Sequence, residues 1–190
     1  MSDREKKEKE PINWKKEILS WVQILAAAVV IAFVLNHFII ANSWVPTGSM
    51  EHTIPAKTRV IGNRLSYLTG EPERGDIVIF KYEQDAEIQE SGETVYYVKR
   101  IIGLPGETVT VVDGKVYIDG SDTPLDEPYL PEPMKGSWGP YQVPEGCYFM
   151  MGDNRNDSED ARFWDYKYVK KDQIIAKVLF TYFPKISWVD

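Results

Sequence analysis

Cysteine is nearly absent from this sequence of 190 residues, in which Cys147 stands alone. A single cysteine cannot form a disulfide within the chain, and it excludes both a zinc ribbon and a redox pair of thiols. Acidic residues outnumber basic ones by 29 to 22, which gives a net charge of −7 and a pI near 5.0. The basic residues form no stripe that could follow phosphates. The composition therefore argues against a nucleic-acid partner, and no cofactor is predicted.

Charge is also missing from a long stretch near the N-terminus, residues 18–40. As a helix this stretch would span roughly 30 Å, the thickness of the hydrocarbon core of a bilayer. A buried core helix and a cleavable signal peptide are the alternatives. The stretch exceeds the usual apolar segment of a signal peptide, about 7 to 15 residues, and no small-x-small cleavage site follows it. We predict a transmembrane anchor at 18–40, preceded by a charged tail at 1–17.

The basic residues that flank this anchor predict its orientation. Six of them precede it, namely Arg4, Lys6, Lys7, Lys9, Lys15 and Lys16, whereas Lys57 and Arg59 are the two within about 20 residues after it. Lysine and arginine are retained on the cytoplasmic side of a membrane protein. The tail should be cytoplasmic, the rest of the chain extracytoplasmic, and the anchor should contact membrane lipid.

After the anchor, short apolar runs alternate with turn residues, a pattern typical of an all-β domain. The predicted strands are 59–62, 76–80, 94–102, 108–112, 115–118, 147–151 and 174–183. Asp113 and Gly114 supply the two residues of a tight hairpin. Prolines accumulate at 120–146, which predicts an irregular excursion or a small lobe. The predicted fold is mainly β, a transmembrane helix followed by an antiparallel β-sheet domain at 41–119 and 147–190.

Ser49 is a candidate nucleophile, because it follows a glycine in the turn-like sequence at 46–50. A serine nucleophile needs a base. Of the two histidines, His37 lies in the anchor and His52 stands three residues from Ser49, an awkward but open arrangement for a triad. A lysine is the other option, since burial lowers its pKa from about 10.4 and a neutral amine can accept the proton of a serine.

Lys99 meets that requirement on the predicted strand 94–102. Alternation along a strand places Tyr97, Lys99 and Ile101 on one face and Arg100 on the other. A solvated lysine on an edge strand is the alternative, and the strand pattern by itself favours that alternative. The surrounding motifs therefore decide between the two.

Four segments, in order, resemble the motifs of bacterial type I signal peptidases, also called leader peptidases. They are Pro-Thr-Gly-Ser-Met at 46–50, Arg-Gly-Asp-Ile-Val at 74–78, Tyr-Val-Lys-Arg-Ile-Ile-Gly-Leu-Pro-Gly at 97–106, and Gly-Asp-Asn-Arg at 152–155 with Ser158, Asp160 and Arg162. With the anchor, the resemblance covers most of the chain. The short excursion at 120–146 resembles that of compact Gram-positive members.

The resemblance implies a membrane-bound serine endopeptidase that works with a Ser/Lys dyad. Ser49 would attack the scissile carbonyl, and Lys99 would act as base and then protonate the leaving amine. Ser158 would orient Lys99. The backbone N–H of Ser49 and the hydroxyl of Thr47 would form the oxyanion hole, with Thr47 standing where some members carry serine.

The resemblance also implies the substrate, secretory precursor proteins cleaved after small-x-small (Ala-x-Ala) sites. The residues that match the walls of its substrate pocket are Val45, Met50, Ile54, Tyr97 and Val98. For structural support we predict that Asp153 pairs with Arg100 and that Asp160 pairs with Arg162. The acidic residues of this last motif miss the spacing of a calcium loop, so no metal site is predicted.

Three alternatives to this assignment remain, and each differs from it in a feature that the sequence shows. The eukaryotic reticulum branch of the superfamily is expected to carry histidine at the position of Lys99. Self-cleaving repressors use serine and lysine but have a DNA-binding region and no anchor. An anchored β-domain that binds a partner without catalysis, including an inactive family member, is the non-enzymatic alternative, against which the joint presence of Ser49, Lys99 and Ser158 argues.

Overall fold

The computed structural model describes residues 13–82 and 95–189. Most of the predicted charged tail, residues 1–12, lies outside the described residues, as do Thr94 of the predicted strand 94–102 and Asp190. The chain divides into two compact units, one ending at His37 and the other starting at Phe38.

The first unit contains the apolar helix α1, Trp14–Val34. A short π-helix, Leu35–Ile39, continues α1 and ends just past the last residue of this unit. The continuous helix is long and apolar enough to cross a membrane, with a mean hydropathy of 2.6. The helix begins four residues before the predicted start at 18, because the Asn13 side chain accepts a hydrogen bond from the Lys16 N–H at 3.4 Å and caps it. Ile40, predicted as the last anchor residue, lies instead in a strand.

The second unit is mainly β, which confirms the predicted fold class. Its strands are β1 Ile40–Val45, β2 Thr58–Asn63, β3 Ile77–Lys81, β4 Tyr96–Gly103, β5 Thr108–Val112, β6 Lys115–Ile118, β7 Trp138–Gln142, β8 Cys147–Met151, β9 Val169–Lys170, β10 Ile174–Phe183 and β11 Ser187–Trp188. A one-turn helix, α2, spans Ser66–Thr69, and a 3₁₀ turn spans Lys171–Gln173.

These strands form two antiparallel sheets. The larger has the order β1-β2-β10-β3-β4-β8-β9, with β11 paired to β10, and the smaller has the order β6-β5-β7. The predicted hairpin joins β5 to β6, where Asp113 and Gly114 have φ of 47° and 76° and Val112 pairs with Lys115. Both central residues thus have the positive φ that a two-residue hairpin turn requires.

Strand β3 shows where the core lies. Val78 and Phe80 on one face belong to a large apolar cluster that continues to the smaller sheet, whereas Ile77 and Ile79 on the other face belong to a second cluster with Val45. A strand with a period of two that is apolar on both faces must be covered on both. Strand β4, which carries Lys99, lies between β3 and β8 in the order of the larger sheet, and its pairing with β8 begins at Arg100.

The proline-rich stretch 120–146 is more regular than predicted at its C-terminal end. Strand β7 pairs with β5, from Thr108 opposite Gln142 to Val111 opposite Trp138. The register shifts between Val109 and Val111, so that Pro140 is accommodated in a strand at the edge of its sheet. The stretch is therefore partly an extension of the smaller sheet.

Candidate active site

A cavity of about 870 Å³ opens in the second unit. Three parts of the chain line it: residues 44–49 at the end of β1 and just after it, residues 95–99 at the start of β4, and residues 156–159 with Phe163. The cavity therefore brings together four residues predicted from the sequence, Thr47, Ser49, Lys99 and Ser158.

Ser49 lies in a tight turn that follows β1. The Glu51 N–H donates to the Gly48 carbonyl at 2.9 Å, and the half-buried Ser49 has its Oγ 3.4 Å from the Thr47 hydroxyl. Asn154 holds this turn from the other side, because its N–H donates to the Ser49 carbonyl at 3.1 Å and its Nδ2 to the Gly48 carbonyl at 2.9 Å. The backbone of the candidate nucleophile is thus fixed at two successive carbonyls.

Lys99 is a buried residue, with 3% of its surface exposed. It pairs with Val78 across β3, and its Nζ donates a hydrogen bond to the Ser158 hydroxyl at 3.2 Å. Burial lowers the pKa of the Lys99 amine from 10.5 to about 8, an effect that the charge of Asp160 opposes and that of Arg162 reinforces. The solvated edge-strand alternative is therefore wrong for this lysine.

Ser49 and Lys99 line the same cavity. Among the residues that the structure describes, Lys99 makes no hydrogen bond to Ser49, and its bond to Ser158 is to a neutral hydroxyl. Hydrogen bonds between catalytic groups are often long until substrate is bound. The arrangement leaves the Lys99 amine beside the nucleophile with no carboxylate hydrogen-bonded to it.

Gly152 lies where the Ser49 turn and Ser158 approach one another. A Cβ placed on this glycine would lie 2.3 Å from the Ser49 carbonyl oxygen and 2.2 Å from the Ser158 Oγ. Both distances are far inside van der Waals contact, so any side chain here would displace one of the two serines. The glycine therefore permits the close approach of Ser49 and Ser158.

The structure contains both predicted ion pairs, Arg100 with Asp153 and Arg162 with Asp160. Arg100 donates from Nε and Nη2 to the two Asp153 oxygens at 2.9 and 2.7 Å. Arg162 reaches the two oxygens of Asp160 at 2.8 Å each, and the Gly152 N–H also donates to Asp160 at 3.0 Å. These side chains are buried, so each charge depends on its partner.

The predicted pocket residues divide into two groups. Val45, Tyr97 and Val98 line the cavity. Met50 and Ile54 do not, because the chain turns inward after Ser49 and carries both side chains, fully buried, into the core cluster that includes Val45 and Val98. The place of Met50 and Ile54 in the substrate pocket stays a prediction, since both pack in the core cluster to which the lining residues Val45 and Val98 also belong.

His52 lies apart from the cavity. It is exposed at a φ of 75°, and it is not one of the lining residues. The open alternative of a Ser-His arrangement through His52 therefore has no support in this geometry.

Three residues support the site although no structural role was predicted for them from the sequence. Gly152 and Asn154 were part of the fourth motif, so their presence was signalled but their contact with the Ser49 turn was not. Thr53 donates from its hydroxyl to Asp153 at 2.6 Å across 100 residues of sequence. No local pattern could have indicated that contact.

Known proteins resemble the chain over nearly its whole length. The family described as "Signal peptidase, peptidase S26" matches residues 18–183. "Signal peptidase I S" of Bacillus subtilis is 38% identical over 186 residues, which cover 92% of this chain and 94% of that protein. "Signal peptidase I" of Leptolyngbya laminosa is 35% identical, over 88% of this chain and 80% of that protein. "Signal peptidase IB" of Staphylococcus aureus is 33% identical, over 90% and 92%.

These matches confirm the resemblance noted in the sequence motifs. The family match extends from the apolar helix to the last residue of β10 and includes every residue that lines the cavity. The chain therefore belongs to the signal peptidase family, peptidase S26, and is a serine peptidase.

Proposed function

We propose that this membrane-anchored serine peptidase removes signal peptides from secretory precursors, with Ser49 as nucleophile and Lys99 as general base. The observation that carries the proposal is the Lys99 amine, buried, with its pKa lowered to about 8, beside Ser49 in one cavity. The three relatives named above are called signal peptidases, which supports the choice of substrate.

Acylation would begin when the neutral Lys99 amine accepts the proton of the Ser49 hydroxyl as Oγ attacks the scissile carbonyl. A neutral amine has one lone pair and two N–H donors. The hydrogen bond from Lys99 to Ser158 would use one donor and leave the lone pair available to accept the proton of Ser49. Ser158 is in this way a positioning residue for the base.

The negative oxygen of the tetrahedral intermediate needs donors. The backbone N–H of Ser49 and the Thr47 hydroxyl are the two we propose, and a donor of this kind contributes about 3 kcal/mol to stabilisation of the transition state. In the structure without substrate, the Thr47 hydroxyl lies 3.4 Å from the Ser49 Oγ. It would turn to the oxyanion when the carbonyl enters.

Collapse of the intermediate would release the mature protein. The Lys99 ammonium would give its proton to the leaving amine, and the signal peptide would stay bound to Ser49 as an ester. Water would then attack the ester with Lys99 again acting as base, which restores the Ser49 hydroxyl and frees the signal peptide carboxylate. The cycle leaves the enzyme unchanged and consumes one water.

We propose that the substrate binds as an extended strand beside β4. Residues Tyr96 to Lys99 pair with β3 on one side, whereas pairing with β8 begins at Arg100 opposite Met151. The cavity runs along the side that β8 does not cover, between residues 95–99 and residues 44–49. An extended peptide placed there would add a strand to the sheet.

The apolar residues that line the cavity suggest why the substrate residues before the cleaved bond should be small. Val45 and Val98 line the cavity and are 4% and 7% exposed, so that their methyl groups lie close to the core. Met50 and Ile54, packed behind them, prevent the wall from receding. A shallow apolar wall accepts alanine and excludes larger side chains, which is our basis for proposing Ala-x-Ala sites.

The membrane anchor would bring enzyme and substrate to one surface. A precursor held by its own apolar segment meets an anchored enzyme at a raised effective concentration. From the flanking lysines and arginines we propose that the N-terminus is cytoplasmic and the β domain extracytoplasmic.

Cleavage of a precursor with an Ala-x-Ala site tests the proposal. The detergent-solubilised full chain is compared with Ser49→Ala and Lys99→Ala, and Lys115→Ala, an exposed lysine on β6, is the matched control. We expect cleavage after the second alanine by the wild type and the control alone. Equal cleavage by Ser49→Ala or Lys99→Ala would refute the catalytic assignment.

A further inference from the structure

Part of the proline-rich stretch packs directly against the chain that carries Ser158. We call residues 127–134 the strap and residues 152–162 the serine loop. Glu127 and Tyr129 of the strap contact Arg155, Glu132 accepts from the Asn156 side chain at 2.8 Å, and the Met134 sulfur lies 3.2 Å from Arg162. These contacts join the strap to the serine loop at Arg155, Asn156 and Arg162.

Glu127 makes the strongest of these contacts. Its two carboxylate oxygens accept hydrogen bonds from Arg155 at 2.6 and 3.1 Å, and the two side chains are 6% and 1% exposed. The Arg155 Nε donates at the same time to the Gly152 carbonyl at 3.0 Å. A buried bidentate pair fixes both partners strongly, because either charge left alone would be desolvated without compensation. Glu127 thus holds Arg155 in place against Gly152.

Tyr129 contacts two arginines. Its hydroxyl donates to Glu127 at 2.8 Å and accepts from Arg155 at 3.2 Å. Its ring centroid lies 3.8 Å from the Cζ of Arg100, close enough for a cation–π interaction. Because Arg100 donates two hydrogen bonds to Asp153, the ring of Tyr129 covers a face of the ion pair that adjoins Gly152.

Gly152 connects these contacts to the proposed reacting groups. Arg155 holds its carbonyl, Asp153 follows it directly, and its Cα lies so close to Ser49 and Ser158 that a Cβ would be within 2.3 Å of an atom of each. A shift of Gly152 by a few tenths of an ångström would therefore move either the Ser49 backbone or the hydroxyl that binds Lys99.

We propose that Glu127 and Tyr129 are positioning residues, which act through Arg155 and Arg100 to keep Ser49 and Ser158 aligned with Lys99. The inference rests on the Ser/Lys mechanism proposed above. No residue of the strap lines the cavity, so we expect the strap to leave peptide binding largely unchanged. Its loss should therefore lower kcat and leave KM nearly unchanged, because misaligned groups affect the transition state more than they affect peptide binding.

The test compares Glu127→Gln, Tyr129→Phe and Tyr129→Leu in the detergent-solubilised full chain. Asp126→Asn is the matched control, since this neighbouring carboxylate is exposed and has no described hydrogen bond. We expect kcat to fall at least about tenfold for Glu127→Gln and Tyr129→Leu, with KM within about twofold. Tyr129→Phe keeps the ring over Arg100 and should restore most of the kcat lost in Tyr129→Leu.

Thermal unfolding of each variant separates positioning from folding. Rates are compared well below every unfolding midpoint, and if Glu127→Gln does not fold, the pair of Tyr129 variants decides. A kcat equal to that of Asp126→Asn in folded Tyr129→Leu would overturn the inference. Ser49→Ala and Lys99→Ala are measured in parallel. Activity retained in those two would refute the proposed mechanism itself, whereas activity lost in them but kept in the strap variants would refute the strap alone.

Discussion

Raising the pH should titrate the Lys99 amine inside the folded enzyme, and the rate of peptide cleavage should follow its neutral fraction. Burial lowers the pKa of this amine from 10.5 to about 8. At pH 7 roughly a tenth of such an amine is neutral, and at pH 9 roughly nine tenths, whereas an amine with its ordinary pKa would be about 0.03% neutral at pH 7. We expect kcat/KM to rise about tenfold per pH unit below 8 and to level off above about 9.

A fluorogenic peptide with an Ala-x-Ala site, cleaved by the solubilised full chain, gives this profile directly. Circular dichroism at each pH shows that the fold is intact over the range compared. The exposed variant Lys115→Ala should give the same profile as the wild type, since the lysine on β6 lies outside the cavity. A flat profile, or a rise that continues to the ordinary pKa of lysine without a plateau, would refute the reasoning that burial makes Lys99 the base.

Three further predictions concern the same group of residues. Ser158→Ala should lower kcat by about 10- to 1,000-fold with little change in KM, because Lys99 loses the hydroxyl that orients it. Steady-state kinetics measure both constants, and an unchanged kcat would contradict the prediction. Gly152→Ala should abolish cleavage, since its Cβ would lie 2.2 Å from the Ser158 Oγ, and retained wild-type kinetics would show that the contact is not needed. Lys99→Met should raise the free energy of unfolding near pH 7 by about 3 kcal/mol, which is the equivalent of the fall in the pKa of Lys99. This gain should shrink between pH 8 and 10.5, because the lysine of the unfolded wild type loses its proton over that range. Urea denaturation at two pH values measures the gain, and a loss of stability would contradict the prediction.

Much of the fold follows from local patterns in the sequence. Strands β5, β6, β8 and β10 have the predicted limits, since each is an apolar run bounded by turn-forming or charged residues. Strand β1 was missed because Ile40 and Ala41 continue the apolar composition of the anchor, so composition shows no boundary there. Strand β7 was missed because prolines argue against a strand, yet an edge position tolerates Pro140.

The candidate site divides in the same way. The family resemblance of the motifs proposed Ser49, Lys99 and Ser158, which line one cavity, and alternation along β4 separated Lys99 from Arg100. Met50 and Ile54 are fully buried in the core, an environment that the sequence could not distinguish from a pocket wall because both positions call for an apolar residue. The contacts of Asn154 with the Ser49 turn and of Tyr129 with Arg100 depend on pairings between distant segments, which no single segment indicates.

The pKa of Lys99 falls because the amine is buried, an effect that the charges of Asp160, Glu159 and Asp153 oppose. Asp160 and Asp153 are each paired with a buried arginine. Asp153 binds Arg100, Asp160 binds Arg162 and Glu127 binds Arg155, each through two hydrogen bonds. Among the described residues Lys99 has no salt bridge, and its hydrogen-bond partner is the neutral Ser158 hydroxyl. A carboxylate released from its arginine would favour the ammonium form and raise the pKa of Lys99. We therefore expect the pairs of Asp153 with Arg100 and of Asp160 with Arg162 to help keep the pKa of Lys99 below its ordinary value, in addition to stabilising the fold.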